Sequence, residues 1–303
     1  MPNLPNSEIQ RLGQPLAARA FRLNLSVYHF LPEPMSSSRL AFIGAGNLAS
    51  AIVRGLLAKQ AFAPADLACT SKGGESARKL ATETGIGHEP DLARLVEGAD
   101  TVLVAFKPQS LALADPRLAE LTIGKLVISV LAGKKLATLG RTFPHARNVV
   151  RTMPNTPAAI GAGITPYCAR SPLTPADLAL VEKILGALGQ SLTLDESYFD
   201  ALTALGGSGP AFLFEFVAGL RDAGIAAGLP AATAYQVALE TVLGASRLLA
   251  RSADTPETLR DRVTSPNGTT FAGLQVLGQR EFRATLKETI LAATRRAGEL
   301  SKD

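Results

Sequence analysis

A glycine-rich turn is the first feature of the chain whose residue types and spacing suggest chemistry. It follows a short apolar run and precedes a segment with the apolar spacing of a helix. In a G-x-G-x-x-A turn the first glycine permits a tight bend, the second lets the backbone approach a pyrophosphate, and the alanine allows close helix–strand packing. A purely steric turn is the alternative, but a position between a strand and a helix favours dinucleotide binding. The predicted pyrophosphate-binding residues are Gly44, Ala45, Gly46, Asn47, Leu48 and Ala49.

The end of the second predicted strand bears on the choice between NAD and NADP. An Asp or Glu there accepts a hydrogen bond from the ribose 2′-hydroxyl and repels a 2′-phosphate. Here the sequence reads Thr70, Ser71 and Lys72, and no carboxylate occurs before Glu75. Two hydroxyls and an ammonium suit a phosphate, so Ser71 and Lys72 are predicted to bind NADP, with NAD less favoured. The alternative is that Lys72 is a solvated loop lysine.

Alternating strands and helices are predicted to position these residues. The apolar runs "RLAFIG", "DLACTS", "TVLVAF" and "KLVISVLAG" are typical of buried strands, whereas "NLASAIVRGLLAKQ" and "ESARKLATET" have helical patterns. This alternation implies right-handed crossovers and a parallel sheet, which "ARNVVRTM", "GITPYC" and "SLTLD" are expected to extend. The fold class is therefore predicted as α/β, with an N-terminal Rossmann-type doubly wound sheet over residues 39–195.

The strands stop after about Asp195, and residues 196–303 are predicted to be all helical. Pro210 and Pro230 suit first-turn positions, and Gly228 suits a helix C-cap. The segment "PAATAYQVALETVLGASRLLAR" is apolar around much of its circumference and therefore needs burial on more than one side. A second subunit would supply that cover, so the sequence predicts a helical dimerisation and substrate domain and a homodimer.

Composition excludes several classes of function. The 303 residues carry a net charge of +5, and no basic run is interleaved with aromatic residues, so no nucleic-acid partner is predicted. Charged residues interrupt every long apolar stretch before about 20 residues, so no membrane span is predicted. The two cysteines, Cys69 and Cys168, and three scattered histidines give no metal site and no disulfide framework. These features predict a cytoplasmic enzyme.

Residues 1–38 differ from the rest of the chain. Five prolines punctuate the segment and three consecutive serines close it, a composition typical of an unfolded extension. Three arginines suggest a transit peptide, but Glu8 and Glu33 dilute that pattern and no signal-peptide apolar core is visible. We therefore predict a disordered extension at residues 1–38.

Seven strings in a fixed order link the chain to a known family. They read "FIGAGNLASAI", "VAFKPQ", "SVLAG", "RTMPNTPAAIGAG", "DALTALGGSGPAF", "DAGIAAGLP" and "LRDRVTSPNGTTFAGL". From about Arg39 to Leu300 the chain resembles pyrroline-5-carboxylate reductase, which catalyses the last step of proline biosynthesis. The resemblance implies an N-terminal Rossmann domain, a helical domain that interlocks with a second subunit, and active sites at the interface. Some members of the family assemble dimers into larger rings.

The resemblance also implies roles for individual residues. Besides the glycine turn, it places Ser71 at the 2′-phosphate end of NADP. The residues implied to line the cofactor are Ala105, Phe106, Lys107, Pro108 and Ala132, with Met153, Asn155 and Thr156 near the nicotinamide. The residues that match the family's substrate site are Glu196, Ser265, Asn267, Gly268, Thr269 and Thr270. Thr270 is implied to lie closest to the imine, and we take Thr270 and Ser265 as the catalytic candidates.

The residue types suit the reduction of a C=N bond. The cofactor supplies the hydride, and the protein must hold a small carboxylate-bearing ring over the nicotinamide. Gly268, Thr269 and Thr270 offer small side chains and N–H groups that suit a carboxylate. Thr270 is a candidate donor to the ring nitrogen, and Glu196 is a candidate partner of the ring N–H⁺. The alternatives are an ordinary turn at Pro266–Gly268 and a first-turn helix carboxylate at Glu196.

Other functions fit parts of the same pattern. One is a reductase of a related cyclic imine, such as the six-membered homologue, and another is a non-catalytic NADP-binding paralogue. A β-hydroxyacid-type dehydrogenase is disfavoured because "GGSGPAFLFEFVAGL" lacks the lysine that such enzymes use. The sequence departs from the usual family strings at Leu92, Gly206, Ala218, Glu240 and Asn267, and Asn267 suits the left-handed turn position that it would occupy.

Overall fold

The sheet comprises eight strands within residues 39–301, which are the residues that the computed structural model describes. The predicted extension at residues 1–38 lies outside them. The strands are β1 Leu40–Ile43, β2 Leu67–Thr70, β3 Gly87–His88, β4 Thr101–Val104, β5 Leu126–Ser129, β6 Asn148–Thr152, β7 Gly163–Ala169 and β8 Gly189–Thr193. Their order across the sheet is β3-β2-β1-β4-β5-β6-β7-β8. The order reverses between β1 and β4, which is the switch point at which doubly wound sheets bind ligands.

The central strands are parallel and lie in the interior. Every residue of β1, β4, β5 and β6 is buried, since apolar clusters cover both faces of the sheet. Ile43 at the end of β1 is in register with Thr70 of β2 and Val104 of β4. The carboxyl ends of these three strands therefore meet at one edge of the sheet.

Helices of the sheet region cover both faces. They are α1 Asn47–Ala58, α2 Glu75–Thr84, α3 Leu92–Glu97, α4 Leu118–Leu121, α5 Leu136–Thr142 and α6 Pro175–Gly186. The sequence predicted α1 and α2 but not the other four. Leu92, one of the departures from the family pattern, is the first residue of α3.

β7 is antiparallel to β6, whereas the other strand pairs described in this sheet are parallel. Residues 153–162 connect the two strands and contain only a short 3₁₀ segment, Thr156–Ile160. A parallel connection requires a crossover of a dozen or more residues, so the chain turns back instead. After α6, β8 pairs with β7 in the parallel orientation.

The C-terminal part of the described chain is helical, as predicted. Its helices are α7 Phe199–Leu202, α8 Gly209–Ala226, α9 Ala231–Arg251, α10 Pro256–Arg262, α11 Thr269–Gln279 and α12 Phe282–Leu300. Pro210 lies in the first turn of α8 as predicted, but Pro230 is the N-cap of α9 and precedes its first turn. Gly228 has the positive φ of +99° expected after a helix end. The sequence did not predict α11.

A π-helical segment, Thr203–Gly207, joins α7 to α8. The Ser208 N–H donates to the carbonyl of Thr203, five residues earlier, at 2.9 Å. The segment contains Gly206, another departure from the family strings. Segments of this kind occur frequently at functional sites.

The long C-terminal helices bury little of their apolar surface within one chain. No residue of α8, α11 or α12 is buried, and only Ala234 and Ala238 of α9 are. Phe214 of α8 is 64% exposed and Leu248 of α9 is 60% exposed. An apolar surface of this extent marks an interaction site.

Among the described residues, the segment Glu196–Ala226 is long and apolar enough to cross a membrane by length and composition alone. A single segment of this kind is weak evidence for a membrane span.

Candidate cofactor and active site

Gly44 makes the bend that follows β1. Its φ is +115°, and its N–H donates to the carbonyl of Thr70 at 2.9 Å. A Cβ at this position would lie 2.5 Å from the carbonyl carbon of Ala105, so only glycine fits between β1 and the segment after β4. The bend therefore brings the ends of β1, β2 and β4 together.

The next residues leave an open surface at the start of α1. Gly46 is the N-cap, no side chain caps the helix, and a Cβ on Gly46 would meet no protein atom within 4 Å. Ala49 is fully buried, so the helix packs closely on the sheet. Uncapped N–H groups beside an open backbone surface fit a pyrophosphate, as the sequence predicts for Gly44–Ala49.

The segment after β2 forms a turn that leads into α2. The Ser71 hydroxyl oxygen accepts a hydrogen bond from the Ala77 N–H at 3.1 Å, so its proton remains free to be donated. Gly73 and Gly74 both have positive φ, and Lys72 is exposed. Because the Gly44 N–H donates to the Thr70 carbonyl, the predicted 2′-phosphate residues lie next to the glycine turn.

Residues 105–108 leave β4 beside the same turn. The Ala105 N–H donates to the carbonyl of Ile43 at 2.9 Å. Ala105, Phe106 and Pro108 are half-buried, and Lys107 is exposed at the start of the 3₁₀ segment Pro108–Leu113. These four predicted cofactor-lining residues therefore lie at the switch point of the sheet.

Asn155 ties the sheet to the π-helical segment. Its side-chain amide donates to the carbonyl of Gly206 at 3.1 Å and accepts from the Ile164 N–H at 3.0 Å. A Cβ on Gly207 would lie 3.3 Å from the methyl carbon of Met153, so Met153 also packs on this segment. Met153 and Asn155 thus hold the π-helical segment beside the carboxyl end of β6, which a sequence pattern alone does not reveal.

A cavity of about 320 Å³ lies between Pro108, Ala132 and the C-terminal end of α12. Arg151 of β6 lines it, although the side chain of Arg151 is only 4% exposed. The guanidinium carbon lies 4.4 Å from the centre of the Phe199 ring. An arginine inside the apolar run "ARNVVRTM" was the sequence signal for this buried cation, and we did not predict a role for it.

Glu196 pairs with Arg151. Its Oε1 atom accepts from Arg151 Nη1 and from the Leu136 N–H, both at 2.7 Å. The carboxylate thus holds the buried guanidinium and the first turn of α5. Its other oxygen, Oε2, accepts no hydrogen bond from residues 39–301. Substrate binding by Glu196 stays a prediction, and it would involve that second oxygen.

The segment Ser265–Thr270 ends in the N-terminus of α11. Asn267 has a φ of +58°, the left-handed conformation expected for it. The Gly268 N–H donates to the Ser265 carbonyl at 3.0 Å and is therefore not free for a ligand, contrary to expectation. Thr269 and Thr270 are the first two residues of α11, and no side chain caps the helix, so no described side chain takes up their N–H groups.

Two groups of predicted residues share no hydrogen bond or ion pair within the described part of the chain. The structure brings the glycine turn and the ends of β2 and β4 together, with Ala132, Met153 and Asn155 at the same edge of the sheet. No hydrogen bond or ion pair between described residues links residues 265–270 with residues 39–195. That both groups act in one site stays a prediction.

Comparisons with known proteins decide the family. Residues 196–300 match the family model for pyrroline-5-carboxylate reductase dimerisation, and residues 39–133 match the model for NADP oxidoreductase, coenzyme F420-dependent. The chain is 38% identical to a pyrroline-5-carboxylate reductase of Arabidopsis thaliana over 90% of this chain and 99% of the relative. It is 39% identical to one of a Synechocystis species over 88% and 99%. The chain belongs to the pyrroline-5-carboxylate reductase family. The predicted family is thus confirmed.

Solved structures agree with this assignment. A pyrroline-5-carboxylate reductase from Coxiella burnetii has a TM-score of 0.83 at 32% identity, covering 88% of this chain and 100% of that chain. The Plasmodium falciparum enzyme, solved with NADP bound, has a TM-score of 0.76 at 25% identity, covering 88% and 98%. The predicted fold class, the oxidoreductase class and the NADP-dependent family are confirmed, and the dimerisation model supports the predicted homodimer. The individual site residues stay predictions.

Proposed function

We propose that this protein reduces 1-pyrroline-5-carboxylate to L-proline with NADPH, the last step of proline biosynthesis. The uncapped start of α1 beside Gly46 carries this proposal, since it fits a dinucleotide in a chain that resembles these reductases over about nine-tenths of its length. NADPH, when bound, supplies the hydride, and a proton on nitrogen completes the reduction of the C=N bond to an amine.

The chain's own residues would bind and orient the substrate. The N–H groups of Thr269 and Thr270 at the start of α11 would hold its carboxylate, aided by the positive end of the helix. The Thr270 hydroxyl oxygen would accept a hydrogen bond from the protonated ring nitrogen, and Ser265 would complete the turn around the carboxylate. A protonated imine is already electrophilic, so this arrangement requires no strong general acid.

The site is proposed to form between two chains. Residues 39–195 would act as the cofactor domain, and residues 196–303 as the dimerisation and substrate domain. Residues 265–270 of one chain would then cover the cofactor edge of its partner. The lack of any hydrogen bond between residues 265–270 and residues 39–195 within the described part of one chain supports this arrangement. A ring of such dimers is proposed as the larger assembly.

The setting of the enzyme is proposed from its sequence. A metabolic reductase with a mild charge of +5 and no basic–aromatic run fits a cytoplasmic protein without nucleic-acid partners. The apolar segment Glu196–Ala226 belongs to the region that matches the dimerisation model, which supports a role in subunit contact instead of a membrane span.

The test follows NADPH consumption with three substrates in parallel: the five-membered imine, its six-membered homologue, and no imine. We expect turnover with the five-membered ring, a lower rate with the larger ring, and a lower rate when NADH replaces NADPH. A preference for the six-membered ring would instead identify a related cyclic-imine reductase. Binding of NADPH without turnover of either ring would identify a non-catalytic paralogue.

A further inference from the structure

Arg78 lies over the turn that follows β2. It is in the first turn and a half of α2, and helical side chains tilt toward the N-terminus. A Cβ on Gly74 would lie 3.5 Å from Nη1 and 3.7 Å from Cζ of Arg78. The guanidinium therefore lies beside Gly74, whose N–H donates to the Ser71 carbonyl at 2.9 Å in the same turn.

The charge of Arg78 is available for a ligand. Among residues 39–301, no ion pair or side-chain hydrogen bond involves Arg78 or Lys72. By contrast, Arg54 on the adjacent α1 forms an ion pair with Glu83 of α2 at 2.5 Å. The guanidinium of Arg54 is thus occupied, whereas that of Arg78 is not.

The Arg78 guanidinium lies where the 2′-phosphate end of a dinucleotide would bind. The end of β2 is joined to the dinucleotide turn through the Gly44–Thr70 hydrogen bond. In this fold the adenosine ribose lies at the end of the second strand, where an arginine accommodates the 2′-phosphate of NADP. Ser71 offers a free hydroxyl proton at the same place.

We propose that Arg78, and not Lys72, sets the preference of this protein for NADP over NAD by binding the 2′-phosphate. This inference rests on the proposed NADPH-dependent function. A guanidinium presents a planar pair of donors that matches two phosphate oxygens, whereas a lysine ammonium is a strongly hydrated point charge on a flexible stem. The sequence did not point to Arg78, because Arg78 comes well after the end of β2. The bend at Gly73 and Gly74 brings its side chain back toward that strand end.

The test is the affinity for NADPH and NADH, measured by titration calorimetry on the full chain without substrate. We expect Arg78→Gln to weaken NADPH binding by about 10- to 100-fold, the range for a hydrogen bond to a charged group, and NADH binding by less than about 2-fold. Lys79→Gln removes the same charge from the next residue of α2, which points about 100° away, and should change neither affinity by more than about 2-fold.

Equal losses of NADPH and NADH affinity in Arg78→Gln, or a larger selective loss in Lys72→Gln, would overturn the assignment. The result is separate from the test of the proposed function. If the wild-type protein binds NADPH selectively through Arg78 but does not reduce the five-membered imine, the function fails and the role of Arg78 stands. If it reduces the imine and Arg78→Gln keeps its NADPH preference, the role of Arg78 alone fails.

Discussion

Thr270 is the residue whose hydroxyl the proposed mechanism places closest to the reacting nitrogen. It is the second residue of α11 and is half-buried. We expect Thr270→Ala to lower kcat by about 10- to 100-fold, since a hydrogen bond to a charged group is lost, and to leave NADPH affinity within about 2-fold. Steady-state kinetics together with NADPH titration would measure both quantities.

Thr270→Ser is the matched control, because it keeps the hydroxyl and removes only a methyl group. It should retain most of the wild-type rate. Equal rates in the alanine and serine variants would show that the hydroxyl does not act on the substrate.

The two cysteines are buried residues. Burial raises the pKa of the Cys69 thiol to about 11, and it raises that of the Cys168 thiol to about 12. Cys69 donates a weak hydrogen bond to the carbonyl of Ala77 at 3.6 Å. Thiols with such pKa values carry almost no thiolate at neutral pH, so these side chains contribute to packing.

At the scale of elements, the strand–turn–helix unit of β1 and α1 uses its two glycines differently. Gly44→Ala would place a Cβ against the Ala105 backbone at a φ of +115°, which we expect to lower the free energy of unfolding by about 3 kcal/mol. Gly46→Ala meets no protein atom, so it should change stability by less than about 1 kcal/mol and weaken NADPH binding at least about tenfold. Denaturant unfolding and NADPH titration measure the two effects.

The pair of variants serves as its own control, since each adds one methyl group to the same turn. A loss of stability in both variants would mean that Gly46 is structural. Unchanged NADPH affinity in Gly46→Ala would show that the pyrophosphate does not bind at this turn.

Hydrophobic periodicity was sufficient to predict the central strands and the long C-terminal helices. It missed α6, although Thr174 caps that helix and Pro175 begins it, a combination that signals a helix start. It also missed α11, because "SPNGTT" has the composition of a turn and the helix begins within that string. The sequence predicted that "GITPYC" would extend a parallel sheet, but β7 is antiparallel, because the connection after β6 is too short for a crossover.

The candidate site was predictable where a local pattern carries the chemistry, as in the glycine turn and the Asn267 conformation. The Arg151–Glu196 pair, 45 residues apart, and the position of the Arg78 guanidinium beside Gly74 could not be predicted. Those contacts depend on how distant elements pack and how a turn bends, and no spacing in the sequence encodes them.

At the scale of the whole molecule, a single chain exposes the apolar side chains of its C-terminal helices, and the proposed active site takes residues from two chains. The exposed side chains of α8 and α9 provide this apolar surface, and residues 265–270 are the proposed substrate-binding residues. The same association would therefore cover the apolar helices and complete the site, so loss of the dimer should also abolish activity.

Phe214→Glu tests that coupling. Phe214 is 64% exposed in one chain, so the substitution should leave the chain folded, but it would bury an unpaired carboxylate in a dimer at a cost of several kcal/mol. In sedimentation at micromolar concentration, we expect the wild type at about twice the 31.6 kDa chain mass, or a higher even multiple for a ring of dimers, and Phe214→Glu at the mass of one chain, with reductase activity lost. Ile123→Glu, at a 56% exposed position after α4, is the control and should remain dimeric and active. A monomeric wild type, or an active monomeric Phe214→Glu, would contradict a site shared between chains.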